Sequence, residues 1–559
     1  MHSEHFRSLL VSSLCKVLPG RAPEGAPLRW VEGLWGETLS FQLAFTALCS
    51  ERDLRANTLR VELVSPLADR VRMRSVLNVP VMLPSCGETD GDYLSHQPGM
   101  FPDLLRGLPS FFVRAVPGQW RALWFDLPLS RELTLPEYPL TLRVLNGQGA
   151  LLAEHTLTVG VVPAELAPQQ LIHTQWFHGD CLADYYGVPV FSERHWAIME
   201  NFLREAGAHG INMILTPLFT PPLDTGVGME RTTIQLVGVR CENGAYTFDF
   251  SQLERFLALC QACGIRYFEM SHLFTQWGAQ CAPKILVWEN GALQKKFGWH
   301  TPAMGPEYRA FLAAFLPCLT RFFSGRGLAD RVYFHISDEP ELGHLASYRA
   351  AAEFVRPYLA GFKTLDALSD YEFYRTGCVE RPVVSNDHIE TFLEHGVQEL
   401  WTYYCMGQGK DVANRFIAMP SARSRILGVQ LYLYRIQGFL HWGYNFYNAQ
   451  HSQSVLDPYF CTDCGDAFPA GDPYLVYPGP GGLPEESIRL MSTCEALFDL
   501  RALQLLETAR GRSFTEQLIH EGLDYPITFR RYPRGGEWLL AMRARVNAAL
   551  RAALREGLV

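Results

Sequence analysis

The sequence predicts a multidomain α and β protein: an N-terminal antiparallel β-sandwich, then a (β/α)8 barrel of the TIM type, then a helical C-terminal extension. Three observations carry this. Apolar and polar residues alternate with period two up to about residue 165. From about 170, short apolar runs alternate eight times with longer amphipathic stretches. The tail then returns to a helical period. The expected domains are 1–165, 166–484 and 485–559, the last packed on the barrel.

The sandwich rests on LSFQLAFTAL, LRVELVSPL, WRALWFDLPL, YPLTLRVL and HTLTVGVV, which read as half-buried strands. PGQW and NGQG punctuate them as turns. The barrel rests on LIHTQWFHGD, INMILTPLF, IRYFEMSHLF, RVYFHISDEP, KTLDALSD, RPVVSND, ELWTYYC and GFLHWGYNFY as strands. Helical stretches such as ERHWAIMENFLREAG and PEYRAFLAAFLPCLTRFF lie between them. A Gly- and Pro-rich loop over 448–484 follows the eighth strand, and SIRLMSTCEALFDLRALQLLE opens the helical tail.

Composition narrows the function classes. Hydrophobic residues make up 48% and charged residues 19%, which is a folded, not a disordered, chain. The net charge of −9 without a Lys/Arg run disfavours nucleic acid and anionic membranes as partners. No apolar run of about 18 residues is present, so no membrane span is expected. The N-terminus lacks the basic start and long apolar core of a signal peptide, and 14 scattered Cys show no framework spacing. Both point to a reducing cytoplasm. Cys260 and Cys263, and Cys461 and Cys464, form two Cys-x-x-Cys pairs, but neither has the second half of a zinc site. They are read as buried or free thiols. No metal and no cofactor are expected.

Active sites of such barrels sit at the C-terminal ends of the strands. Those ends carry Trp176, Glu269, His272, Asp370, Asn386, Tyr403, Tyr404, Trp442, Tyr444 and Asn445 as candidate substrate contacts. Aromatic faces suit sugar rings. For each of these residues, packing or inter-strand pairing is the competing reading. The fourth strand ends in HISDEP, residues 335–340. His335 is read as a satisfied core histidine. Asp338 and Glu339 are the candidate catalytic pair, because adjacent carboxyls after an apolar strand are costly unless solvated, paired or used. An acidic turn that caps the next helix is the alternative.

Ordinary retaining glycosidases hold two carboxyls about 5–5.5 Å apart on separate strands. Neighbours on one strand suit the substrate-assisted exception instead, in which the 2-acetamido group of the sugar attacks its own anomeric carbon. HISDEP resembles glycoside hydrolase family 123. So do LWTYYCMGQG, RILGVQLYLYRIQGFLHWGYN and GDPYLVYPGPGGLPEESIRL. The resemblance spans about 170–510, and more loosely the sandwich. It implies a retaining β-N-acetylgalactosaminidase with a carbohydrate substrate, Asp338 orienting the acetamido group and Glu339 as general acid/base. The alternatives are a glycosidase of this fold acting on another β-linked sugar, a metal-dependent barrel hydrolase, and a non-catalytic carbohydrate-binding protein.

Overall fold

The computed structural model describes residues 6–48, 58–108 and 112–558. They form two compact units: Met1–Gln169 with Ala413–Leu433 and Glu485–Val559, and Gln170–Val412 with Tyr434–Pro484. No described helix is long and apolar enough to cross a membrane.

The first unit holds two sheets. One runs in the order Phe6–Ser12, Thr38–Ala47, Arg121–Pro128, Arg72–Val81, Gly99–Gly107, and continues to Glu486 and Ser487, which pair with Leu105 and Leu104. The other runs Trp30–Trp35, Leu151–Glu165, Glu137–Asn146, Thr58–Val64, Phe112–Arg114. Pairing is antiparallel except between Trp30–Trp35 and Leu151–Glu165, which is parallel. Alternation puts one apolar face of each sheet inward. Phe41 stacks on Phe125 at 5.0 Å from one side, and Leu140, Leu142 and Val159 meet them from the other. Gly99–Gly107 escaped the period-two reading because Pro102 interrupts it. The strand keeps the proline through a register shift opposite Leu77 and Asn78.

The tail forms the expected helices Ile488–Arg510, Arg512–His520 and Gly536–Arg555. They belong to the same compact unit as the two sheets. The reason is a buried charge cluster. Arg425, from the helix Ser421–Arg425, donates to Asp499 at 2.7 Å and to Glu495 at 3.0 Å. Arg543 donates to Asp499 at 2.9 Å and to Glu37 of the sheet. Charges this deep are tolerated only when paired, so the tail is held where its partners are.

The second unit is a closed barrel of eight parallel strands. They are Ile172–Gln175, Met213–Thr216, Tyr267–Met270, Val332–His335, Lys363–Leu368, Arg381–Ser385, Trp401–Tyr403 and Gly438–His441. Each lies within one of the eight predicted runs. Helices fill the gaps between strands one and seven. The strict eightfold pattern breaks after that: the helices between strands seven and eight, and the one that follows strand eight, belong to the first unit. A small sheet of Gly238–Glu242, Ala245–Asp249, Ile285–Glu289 and Ala292–Phe297 grows out of the loops after strands two and three.

Side chains fill the barrel interior, among them Met213, Tyr333, Leu365, Val383 and Trp401. Trp401 needs a neighbour without a side chain. A Cβ on Gly438, its partner on strand eight, would stand 1.9 Å from the indole ring. Gly438→Ala is therefore expected to destabilise the protein by about 1–3 kcal/mol or more, as overpacking does. A chemical denaturation curve checks this, and an unchanged midpoint would contradict the packing described.

Candidate active site

The C-terminal mouth of the barrel encloses a cavity of ≈ 290 Å³. Asp338 and Glu339 stand on its wall with Trp176, Tyr403 and Trp442. Strand four ends at His335, and the chain then turns outward through Glu339, which takes a left-handed φ of 41°. Such a φ is unusual for a side chain of this size and persists only when neighbours hold it. Here the Glu339 amide donates to the Ala367 carbonyl at 3.2 Å, and the Tyr403 hydroxyl donates to Glu339 Oε1 at 2.8 Å.

Beneath the pair lies a buried charge relay. His335 Nε2 contacts Glu269 Oε1 at 2.5 Å, and its Nδ1 contacts Asp366 Oδ1 at 3.0 Å. Burial alone would push the imidazole down, but Glu269 and Asp366 outweigh it and lift His335 to about 10. Each ring nitrogen therefore carries a proton near neutral pH. Glu269 also accepts from Trp176 Nε1 at 2.7 Å and from the Thr174 hydroxyl. Asp366 accepts from the Tyr348 hydroxyl and, at 3.2 Å, from the Ser337 amide.

Burial raises the pKa of Asp338 well above the carboxylate range, and the like charge of Glu339 raises it further, while His335 opposes both. Burial also raises Glu339, with the Tyr403 hydrogen bond pulling the other way. Two desolvated carboxyls side by side cannot both ionise readily. The pair therefore retains a proton through the range where ordinary carboxyls have lost theirs, which is what an acid and an anion working together require.

The structure separates the other candidates. Trp176 and Trp442 line the cavity, and each has its indole N–H taken: Trp442 Nε1 donates to Asp472 Oδ2 at 2.9 Å. Gly443 permits this, since a Cβ there would meet the Asp472 and Pro473 carbonyls at 2.5 Å. Glu269 lies below the floor as the anchor of Trp176 and His335. His272 is buried against Trp176 and His335, off the cavity wall. Asp370 caps the helix Tyr371–Arg375 by accepting from the Glu372 amide. Asn386 is buried, and its amide donates to the Tyr403 carbonyl. Tyr404 alternates away from Tyr403 and packs on Phe439 and His441. Tyr444 gives its hydroxyl to the Phe202 carbonyl at 2.9 Å. Asn445 clamps both backbone groups of His178, tying the ends of strands one and eight together. None of these last seven lines the cavity.

The cavity also has walls that strand-end reasoning missed. Asp224 and His451 come from the loops after strands two and eight, and Gln276 and Trp277 from the loop after strand three. Asp224 Oδ2 accepts from the His451 amide at 3.0 Å, and Gln276 Oε1 accepts from the Asp224 amide at 3.1 Å. His178 lines the cavity too. Arg231, paired with Asp180 at 2.8 Å in a fully buried contact, donates to His178 Nδ1 at 3.1 Å. Burial first, then this guanidinium, hold His178 down to about 3, so it stays neutral and its Nε2–H donates to the Trp442 carbonyl at 2.9 Å. Of the two Cys-x-x-Cys pairs, Cys260, Cys263 and Cys464 are buried and Cys461 is half-buried, all as free thiols.

A parallel barrel with a desolvated, proton-sharing carboxyl pair at its mouth and tryptophans lining the same cavity has the parts of a glycosidase. The model of the glycoside hydrolase 123 catalytic domain matches residues 176–506, more than half of the chain. The chain belongs to glycoside hydrolase family 123; it is a glycosidase, and its substrate is a carbohydrate. Among solved structures, a family 123 glycoside hydrolase from Clostridium perfringens is 14% identical. The match covers 99% of each chain with a TM-score of 0.73. A β-glucuronidase from Parabacteroides merdae is 13% identical over 86% of this chain and 50% of its own, with a TM-score of 0.30. No curated protein sequence matches the chain.

Proposed function

We propose that the chain is a retaining β-N-acetylgalactosaminidase that uses substrate-assisted catalysis. The observation that carries this is the adjacency of two carboxyls, Asp338 buried and Glu339 half-buried, just past the end of strand four, on the wall of a cavity that Trp176 and Trp442 also line. The similar Clostridium perfringens enzyme acts in glycolipid glycan hydrolysis, which fits a sugar substrate of this kind.

In this reading Glu339 gives its proton to the glycosidic oxygen while the acetamido oxygen attacks the anomeric carbon and the bond to the leaving group breaks. Asp338 accepts the acetamido N–H and stabilises the positive charge that develops there. In this reading Asp338 becomes the anion when the acetamido N–H binds to it; the His335 imidazolium favours that form, against the burial and the like charge of Glu339 that hold a proton on Asp338 before substrate binds. Glu339, now a carboxylate, takes a proton from water as that water adds to the anomeric carbon and the bond from that carbon to the acetamido oxygen breaks, which restores the acetamido group. Two inversions at one carbon give retention. Trp176 and Trp442 supply faces for the sugar ring.

A panel of nitrophenyl β-glycosides tests the reading. Cleavage of the N-acetylgalactosamine form with an unchanged rate in chelator is expected. Preference for the galactose form would replace this sugar with another β-linked one. Loss of activity in chelator would favour metal-dependent hydrolysis, and binding without turnover a lectin-like role. Tyr403→Phe gives a finer check. The Tyr403 hydroxyl favours the ionised form of Glu339, so its loss raises the Glu339 pKa further. The alkaline limb of the kcat/KM profile should then move to higher pH. A limb that moves down would contradict the proton location.

A further inference from the structure

We infer that Trp277 is the platform for the sugar on the leaving-group side, and so sets which aglycones the enzyme accepts; this deepens the glycosidase reading and rests on it. The three tryptophans on the cavity wall differ in a way that assigns them different tasks. Trp176 is 4% exposed and its indole N–H is taken by Glu269. Trp442 is half-buried and its indole N–H is taken by Asp472. Trp277 is 42% exposed, and among the described residues nothing stacks on its ring or accepts from it. The first two are fixed inside the molecule beside the part of the substrate that is enclosed. Trp277 stands at the mouth, where the rest of a glycan chain has to leave.

An exposed indole is common enough on a protein surface to need no explanation. This one is different because its backbone is held in a costly conformation. Trp277, Gly278 and Ala279 have φ values of 59°, 104° and 53°, three left-handed residues in a row. A bulky residue there is a true outlier, and each such residue carries an energetic cost that its surroundings must offset. The offsetting contacts come from the loop that bears the catalytic pair and from the helical turns that follow it, Leu342–His344 and Leu345–Val355. The Trp277 amide donates to the Asp338 carbonyl at 2.9 Å. The Ser347 hydroxyl donates to the Gly278 carbonyl at 2.7 Å. Gly278 lies so close to His344 that a Cβ would stand 2.6 Å from its ring. The backbone that carries the indole is thus tied to the backbone of Asp338 itself.

An aromatic face at the exit, with no partner of its own, gains by covering itself with the apolar face of a sugar ring. Because Glu339 protonates the oxygen that leaves, the ring that reaches the mouth is the leaving one. Trp277 therefore contributes to binding of the aglycone and not to the chemistry on the enclosed sugar.

The test compares wild type, Trp277→Ala and Trp277→Phe on two substrates that share the glycone the wild type cleaves. One is its methyl β-glycoside; the other is a disaccharide in which the leaving group is a hexose. Building both on the cleaved glycone means that an error in the acetamido assignment changes the substrates and not the comparison. Trp277→Ala should lose about tenfold or more in kcat/KM on the disaccharide, chiefly through KM, and less than about threefold on the methyl glycoside. Trp277→Phe should recover most of the loss. Equal losses on both substrates would show that the residue only props up Asp338 and would overturn the inference. So would an unchanged disaccharide rate in Trp277→Ala.

Discussion

Glu339→Gln lowers kcat/KM by about 10²–10⁴-fold, the range for losing a general acid, and the loss shrinks on substrates whose leaving group departs without a proton. Asp338→Asn costs about 10²–10³-fold, the range for losing a group that stabilises developing charge, and its loss does not depend on the leaving group. The contrast is the informative part. Both residues sit in the one loop that follows strand four, so general damage to that loop would hit both variants alike and on every substrate. The difference in leaving-group sensitivity arises only if one carboxyl handles the proton and the other the acetamido group. Steady-state rates on a nitrophenyl and an alkyl glycoside, with melting curves to confirm intact folds, give the comparison. Near-wild-type rates in either variant would sink the assignment.

His335→Leu has the second large effect, this time on stability. The imidazolium is buried between Glu269 and Asp366, and removing it leaves two carboxyls without their cation. Breaking a buried pair by deleting one partner costs about 3–5 kcal/mol, because the remaining charge has lost both water and counterion. Adding Glu269→Gln to His335→Leu should recover part of the loss. The effect also depends on pH. The folded-state pKa of His335 is raised from 6.5 to about 10, so its contribution is full below 6.5 and is lost as pH climbs through 10. The advantage of wild type over His335→Leu in denaturation should narrow across that window. An advantage that grows with pH, or a loss under about 1 kcal/mol at neutral pH, would contradict the relay.

Much of this site was legible in the sequence, and what was not has a physical cause. Period two and the strand–helix alternation located all eight barrel strands, because a strand buried on both faces reads as a short apolar run. Asp338, Glu339, Trp176, Tyr403 and Trp442 follow from the rule that chemistry sits at strand ends, and all five line the cavity. The same rule also named Tyr404, Tyr444 and Asn445, which the structure turns away. Tyr404 differs from Tyr403 by one step of strand alternation, and parity at a strand's last residue cannot be fixed without its neighbours. Tyr444 and Asn445 lie beyond the strand, where Gly443 lets the 472–475 segment press in from behind.

Asp224, Trp277 and His451 were invisible for another reason. All three adopt left-handed φ values, at 43°, 59° and 60°, in loops whose shape is set by contacts with other loops. The tail poses the same problem on a larger scale. Its helices are plain in the periodicity, but which unit they join depends on Glu37, Arg425, Asp499 and Arg543 meeting from four distant parts of the chain. Local pattern carries no information about such meetings.

The central claim is that the substrate's own acetamido oxygen is the nucleophile, with Asp338 and Glu339 as its helpers. One measurement addresses it directly: kcat/KM for a series of nitrophenyl β-N-acylgalactosaminides whose N-acetyl group carries none, one, two or three fluorines. Fluorine withdraws electrons from the carbonyl oxygen and weakens it as a nucleophile without greatly changing the group's size. The account predicts a steep, monotonic fall in kcat/KM along the series. A flat series would mean that the acetamido group does not attack, and would return the carboxyl pair to some other chemistry.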